Sequence, residues 1–285
     1  MSIAALGHLV RATMAHPIGR RQPISSMARI VGWQLRSRTS RRPIVHRWIG
    51  GSRLIVEHGM TGATGNIYFG LHEFADMAVV LHLLRPGDLM LDIGANVGSY
   101  TILAAKVVGA RVVAFEPARE TLPKLRANVA ANGVETLVTV EDCALGDRDG
   151  EIAFSIGLDT VNRVGAPGQS ELVKLKRLDA AAVGLDPVMM KIDVEGYEPQ
   201  LFAGADATLG KPTLRVIETE TVDPSILEQL ACHGFERRYY DPFTRCLSKF
   251  GVGIDTNNML FIRDEEWVAE RLTTAPRHDV LGISL

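Results

Sequence analysis

The first 56 residues contain no aspartate and no glutamate. Ten arginines lie between Arg11 and Arg53, so the net charge of −2 over 285 residues conceals a basic arm joined to an acidic remainder. Cysteine is nearly as scarce. Cys143, Cys232 and Cys246 are too few and too scattered for a disulfide framework or a zinc site, and they fit a reducing, cytoplasmic setting. No apolar run approaches the roughly 18 residues of a membrane span. Internal repeats and low-complexity tracts are also missing, which excludes a repeat architecture. What is present is an ordinary apolar fraction of 46% on a chain long enough to bury one sizeable core.

The arm sets Arg20, Arg21, Arg36, Arg38, Arg41 and Arg42 among short apolar groups such as Ile30, Val31 and Trp33. It has the composition of an organelle transit peptide but not the long apolar core of a secretory signal. A helix over about Ser26 to Ser37 places Met27, Ile30, Val31 and Gln34 on one side and arginines elsewhere. Such an arm suits docking to an anionic surface, whether membrane, nucleic acid or carrier protein. The simpler use is packing on its own acidic domain, or on a second subunit in a homodimer. Residues 1–53 are set apart as this arm. Residues 54–285 form one domain, with a lead-in at 54–85, a core at 86–220 and a C-terminal part at 221–285.

Past Gly51, Leu54 to Val56 reads as a strand, and Gly59, Gly62 and Gly65 mark turns. Phe74, Met77, Leu81 and Leu84 recur at helical spacing and predict an amphipathic helix over Glu73 to Leu84, stopped by Arg85-Pro-Gly87. His72 and His82 are ten apart with no third ligand in spacing, and read as surface or core histidines. Short apolar runs then alternate with helical segments: Leu89 to Ile93, Arg111 to Phe115, Leu137 to Glu141, Val188 to Ile192 and Thr213 to Glu218. That alternation predicts βαβ units and a parallel sheet. A hairpin over Gly150 to Ser155 and Glu171 to Leu178 interrupts it, with a polar loop around Thr160 to Val164 between its strands. A helix near Pro224 to Cys232 and a strand pair around Arg237 to Tyr240 and Asn258 to Ile262 close the fold.

Three strand ends carry chemistry. The first is Asp92-Ile-Gly-Ala-Asn-Val-Gly98, a glycine turn leading into a helix from about Ser99 to Val108. Strand, glycine turn and helix bring backbone N–H groups toward a ligand. The pattern is not the Gly-x-Gly-x-x-Gly of nicotinamide binders, because Asn96 stands where the second glycine belongs. The second is Phe115-Glu-Pro117, in which Glu116 at the tip of the neighbouring strand can accept two hydrogen bonds from a ribose diol. The third is Lys191-Ile-Asp-Val-Glu-Gly196. Residues two apart share a strand face, so Lys191 and Asp193 point together at whatever covers that strand end.

These three stretches, with Leu178-Asp179 before the third and Ala203-Gly-Ala205 after it, resemble the FkbM family of S-adenosylmethionine-dependent methyltransferases. The resemblance runs over roughly residues 65–262. It implies the class I methyltransferase fold, a Rossmann-like α/β architecture. Its seven-stranded, mostly parallel sheet has an antiparallel last strand and helices on both faces. It implies S-adenosyl-L-methionine as cofactor and O-methylation of a sugar, polyketide or other small metabolite hydroxyl. It also implies that Asp92, Gly94, Asn96 and Gly98 frame the methionine part of the cofactor and Glu116 the ribose. Asp142 stands where related enzymes often place an acid against adenine.

A weakly acidic alcohol must lose its proton as the methyl group arrives, which calls for a carboxylate, a histidine or a metal. Asp193 is the first choice as base or metal ligand. Lys191 orients it or stabilises the developing alkoxide, and Glu218 is a second base or ligand. Whether Asp193, Glu195 and Glu218 converge on a divalent metal is left open. Two other classes are weighed against this reading. One is a nucleic-acid-associated methyltransferase using the arginine arm, which an acidic body and the lack of an Asn-Pro-Pro-Tyr-like stretch disfavour. The other is a non-catalytic S-adenosylmethionine-binding protein, since a cofactor site does not prove turnover.

Overall fold

The computed structural model describes residues 10–11, 13–40, 42–57, 59–155, 170–220, 223–251, 253, 256 and 258–285. The arm forms two helices, Pro17–Arg21 and Pro23–Thr39, each opened by a proline at its first turn. The second is longer than predicted and rotated. Ser26, Ile30, Trp33 and Ser37 are its buried residues, while Val31 faces out. Two small serines allow close approach and Trp33 supplies apolar area, so this face goes inward, with Met27 and Gln34 half-buried beside it. Strands β1 (Ile44–Arg47) and β2 (Arg53–Val56) then pair antiparallel.

Two readings of the lead-in are corrected. Gly62 and Gly65 lie within a helix, Thr61–Phe69. A Cβ on Gly65 would lie 2.2 Å from His72 Nδ1, so glycine is needed there for ring clearance and not for a turn. The next helix, Phe74–Leu83, is buried on every side and is not amphipathic. Its outer face is covered by the helix Glu265–Thr274, and its polar residues have internal partners. His82 shares a 2.6 Å hydrogen bond with the Tyr240 hydroxyl, and Asn258 Nδ2 donates to Asp76 at 3.0 Å.

The chain enters the main sheet at its centre with β3 (Leu89–Ile93). It steps outward through β4 (Arg111–Phe115) and β5 (Val138–Glu141), all parallel. The helix Leu122–Asn132 links the last two and also holds the arm hairpin. Ile55 N donates to Asn128 Oδ1 and Arg53 N to Asn132 Oδ1, while Asn128 Nδ2 reaches the Val97 carbonyl of the glycine turn.

A small sheet follows, from β6 (Ala144–Gly146), β7 (Gly150–Ser155) and β8 (Ser170–Arg177), with β8 in the middle. The predicted hairpin is β7 with β8; the loop expected around residues 160–164 lies outside the described residues. The chain then crosses back. β9 (Met189–Ile192) pairs parallel with β3 on its free side, and β10 (Val216–Thr219) pairs parallel with β9. After the helix Pro224–Cys232 come β11 (Glu236–Asp241), β12 (Cys246–Ser248) and β13 (Met259–Ile262). β13 inserts antiparallel between β10 and β11. The full order is β12-β11-β13-β10-β9-β3-β4-β5, the expected seven strands plus β12 as an eighth on the edge.

β3, β9 and β10 are buried throughout, because apolar clusters cover both faces of the sheet. Met90, Met189 and Val216 face the side that also takes in Trp33 and Trp48; Leu91, Met190 and Ile217 face the other. The order reverses between β3 and β9. Ligands of open α/β sheets bind at such a reversal, beyond the carboxyl ends of the strands.

Candidate active site

At that reversal the tips of β3 and β9 almost touch. Asp193 N donates to the Ile93 carbonyl, and a Cβ on Gly94 would sit 1.8 Å from the Asp193 carbonyl oxygen. Gly94 also has φ +81°, so both conformation and clearance demand glycine. The turn continues through Asn96, whose φ of +50° aims its N–H at Glu116 Oε2, 2.8 Å away. Glu116 Oε1 accepts from Ala118 N at 2.8 Å. Burial raises the Glu116 carboxyl to about 7 against these two stabilising bonds. Gly98, at φ +90°, starts the following helix, which is α-helical only over Ser99–Ile102 and π-helical over Leu103–Val108.

Two cavities meet at this turn. The first lies over β3, β4 and the start of β6. Its walls are Phe115, Leu145, Phe154 and Cys143, with the Glu116 carboxyl at one side. The second lies between the tips of β3 and β9 and the helix Phe74–Leu83. It is lined by His72, Glu73, Asp92, Tyr100, Lys191 and Glu220, among others. Gly94, Asn96, Asp193 and Glu195 line both, and form the wall between them.

Below the second cavity a charged row crosses the sheet. The register places Asp92 beside Lys191 and Lys191 beside Glu218, all on one face. Lys191 is 1% exposed. Its Nζ stands 3.6 Å from Asp193 Oδ2 and 5.1 Å from the Tyr100 ring centre, without a hydrogen-bond partner among the described residues. Burial opposes its charge, but Asp193, Glu73, Glu218 and Asp76 outweigh burial and hold its pKa above the usual lysine value. Burial raises Asp92 to about 6 against a bond from Thr101. It raises Asp76 to about 7, with Glu73 adding to it. Glu218 is driven well above the carboxylate range by burial and by Asp76.

The next row up opens to the cavity. Asp193, Glu195 and Glu220 bring carboxylate oxygens within 4.8 Å of one another, and burial followed by Asp193 raises Glu220 to about 7. The convergence that the sequence leaves open involves Asp193 and Glu195 with Glu220, not Glu218. Glu218 lines neither cavity and is 0% exposed, one row too deep for a base or ligand on the cavity wall. Asp142 lines neither cavity as well. Its carboxylate is turned to solvent and paired with Lys174 at 3.1 Å, which lowers its pKa, and its neighbour Cys143 faces the cavity instead. Gly98 shapes the turn without lining either space.

Tyr100 and Glu220 went unnoticed in the sequence. For Glu220 the signal was available: it follows Glu218 by two as Asp193 follows Lys191, so both stand one step nearer the strand tip on the same face.

Comparison with known proteins agrees with this geometry. Residues 92–239, just over half of the chain, match the methyltransferase FkbM domain. The chain is 30% identical over 210 residues to the 31-O-demethyl-FK506 methyltransferase FkbM of Streptomyces tacrolimicus, covering 57% of this chain and 78% of that protein. The chain belongs to the FkbM methyltransferase family. As a family member it is an S-adenosylmethionine-dependent methyltransferase. A shorter likeness, 37% over 99 residues, links it to the ribosomal RNA small subunit methyltransferase A of Magnetococcus marinus, over 33% of this chain and 34% of that one. Among solved structures, an rRNA methylase from Streptococcus thermophilus is 11% identical, with 65% of this chain and 91% of that chain covered at a TM-score of 0.40. The FkbM assignment places its matched residues on the turn, both cavities and the charged row.

Proposed function

We propose that this methyltransferase methylates a hydroxyl oxygen of a small metabolite, of the sugar or polyketide kind, with Asp193 as general base. The carrying observation is that Asp193 belongs to the wall between the two cavities, with the Lys191 ammonium 3.6 Å behind it.

The residues of the first cavity fit S-adenosylmethionine. Each Glu116 oxygen accepts one backbone N–H and retains lone pairs for the two hydroxyls of a ribose. Phe115, Leu145 and Phe154 offer the apolar faces an adenine ring requires. The missing side chain at Gly94 lets the tips of β3 and β9 close up where the two cavities join. When bound, the cofactor supplies an electrophilic methyl group on a sulfonium.

The acceptor belongs in the second cavity. Asp193 takes the hydroxyl proton on a carboxylate oxygen. Lys191, with N–H groups to donate, meets the negative charge that grows on the acceptor oxygen. Its own charge is secured by the acids around it, so it serves as a fixed cation and not as a base. Holding the acceptor against the shared wall removes much of the entropic part of the barrier. The reading is tested by S-adenosylhomocysteine release over a panel of hydroxyl-bearing acceptors, comparing the wild type with Asp193→Asn. Loss of a general base lowers turnover by roughly 10²- to 10⁴-fold. Undiminished turnover in the variant rules Asp193 out as the base.

A further inference from the structure

We infer that the outer face of the arm helix Pro23–Thr39 docks this protein onto an anionic lipid bilayer. The inner face of that helix is used up by Ser26, Ile30, Trp33 and Ser37. The outer face carries Ile24, Ala28, Val31 and Leu35 at i, i+4, i+7 and i+11, one stripe along about 16 Å of helix. Ile24 is 85% exposed, Leu35 65% and Val31 43%. Single exposed aliphatics are unremarkable, but these are gathered. Six of the nine large hydrophobics exposed among the described residues come from residues 10–45, and Val10, Met14 and Val45 are the other three of the six.

Charge decides what covers the stripe. Arg36 and Arg38 on the same helix, and Arg11, Arg20, Arg42 and Arg47 elsewhere on the arm, are exposed, and none forms an ion pair among the described residues. The absence of acid before Glu57 means the arm cannot neutralise itself, and the acidic body does not do so either. A partner must therefore bury aliphatic side chains and present negative charge around them. A bilayer with anionic headgroups does both, as for helices lying in the membrane interface. Nucleic acid offers the charge but no place for Ile24 and Leu35. A second copy of this arm offers an apolar stripe but sets arginine against arginine.

The test uses the full chain in vesicle flotation. One set of vesicles is pure phosphatidylcholine; the other contains about a third phosphatidylserine. Binding is expected to be at least tenfold tighter to the anionic set, and to weaken as salt rises above about 0.1 M. Ile24→Ser with Leu35→Ser is expected to reduce it at least tenfold. Arg36→Gln with Arg38→Gln is expected to flatten the salt dependence. S-adenosylmethionine affinity, measured by calorimetry, is expected to be unchanged in both variants, showing that the fold is intact. Three results would overturn the inference. One is equal or no binding to the two vesicle sets. Another is a dimer in light scattering that the Ile24/Leu35 variant dissociates. The third is salt-dependent nucleic-acid binding that this variant retains while vesicle binding is absent.

Discussion

Glu116→Gln separates the two tasks of the carboxyl at the tip of β4. In the wild type both oxygens accept backbone N–H groups, from Asn96 and from Ala118, at 2.8 Å each. A glutamine has only one oxygen. Whichever way its amide turns, an NH₂ group faces one of those donors, and a stranded donor costs about 1–3 kcal/mol. Relief from burying a charge, seen in the carboxyl's rise to about 7, returns part of that. The melting temperature is therefore expected to fall by about 2–8 °C. The charged acceptor for the ribose hydroxyls is also lost, worth about 1.5–3 kcal/mol, or roughly ten- to 150-fold in Kd for S-adenosylmethionine. The assay is calorimetry at pH 8, where the wild-type carboxyl is ionised. A second arm repeats it at pH 6. The wild type is expected to bind more weakly there, since a proton on Glu116 competes with the ribose, while the variant's Glu116-linked pH dependence vanishes. A variant Kd within about threefold of the wild type would falsify the assignment of Glu116 to the ribose.

Two further predictions concern the tip of β3 and the helix Phe74–Leu83 packed beside it. Gly94→Ala is expected to cost more than about 2 kcal/mol in denaturant unfolding and to abolish S-adenosylmethionine binding. Its Cβ meets the Asp193 carbonyl at 1.8 Å and its φ of +81° disfavours a side chain. A soluble, equally stable variant with normal binding would refute the close approach of β3 and β9. Asp76→Asn is expected to become more stable relative to the wild type as pH rises from about 4 to about 7, and to hold that gain above it. Asp76, raised to about 7 by burial, is protonated in the fold where the unfolded chain has released its proton, so wild-type stability falls through that window. The relative gain is at most about 4 kcal/mol, at 1.36 kcal/mol for each pKa unit. Parallel stability curves from pH 5 to pH 8 would contradict it.

The parallel sheet was legible because β3, β9 and β10 are covered on both faces, and such strands appear as short unbroken apolar runs. Phe74–Leu83 misled for the opposite reason. Asp76 and His82 gave it a polar side in the sequence, but Asn258 and Tyr240 accompany those side chains into the interior. Such partners lie 158 and more residues away and leave no trace in local spacing. At the site, Asp193 and Lys191 were readable from strand alternation, and Glu116 from its place after β4. The depth of Glu218 was not readable. A strand's sequence shows which residues share a face, but the depth of each row depends on what roofs it, here the helices beginning at Phe74 and Ser99. Asp142 was carried over from related enzymes, and its pairing with Lys174 comes from β8, 32 residues further along the chain.

The hydrogen bonds from Asn128 and Asn132 to β2 give the arm hairpin a role that its sequence does not advertise. Asn128 grips Ile55 with one end of its amide and Val97, inside the glycine turn, with the other. The recognisable family signature starts at Asp92, but the apolar core into which it packs starts well before it. Ile18, Trp33, Trp48, Leu54 and Val56 belong to the same continuous apolar cluster as Met90 and Val112. The stretch that identifies the enzyme and the stretch that packs as one apolar core are therefore different lengths of chain. Sequence drift in residues 17–56 has a direct route, through one asparagine side chain, to the glycine turn between the two cavities.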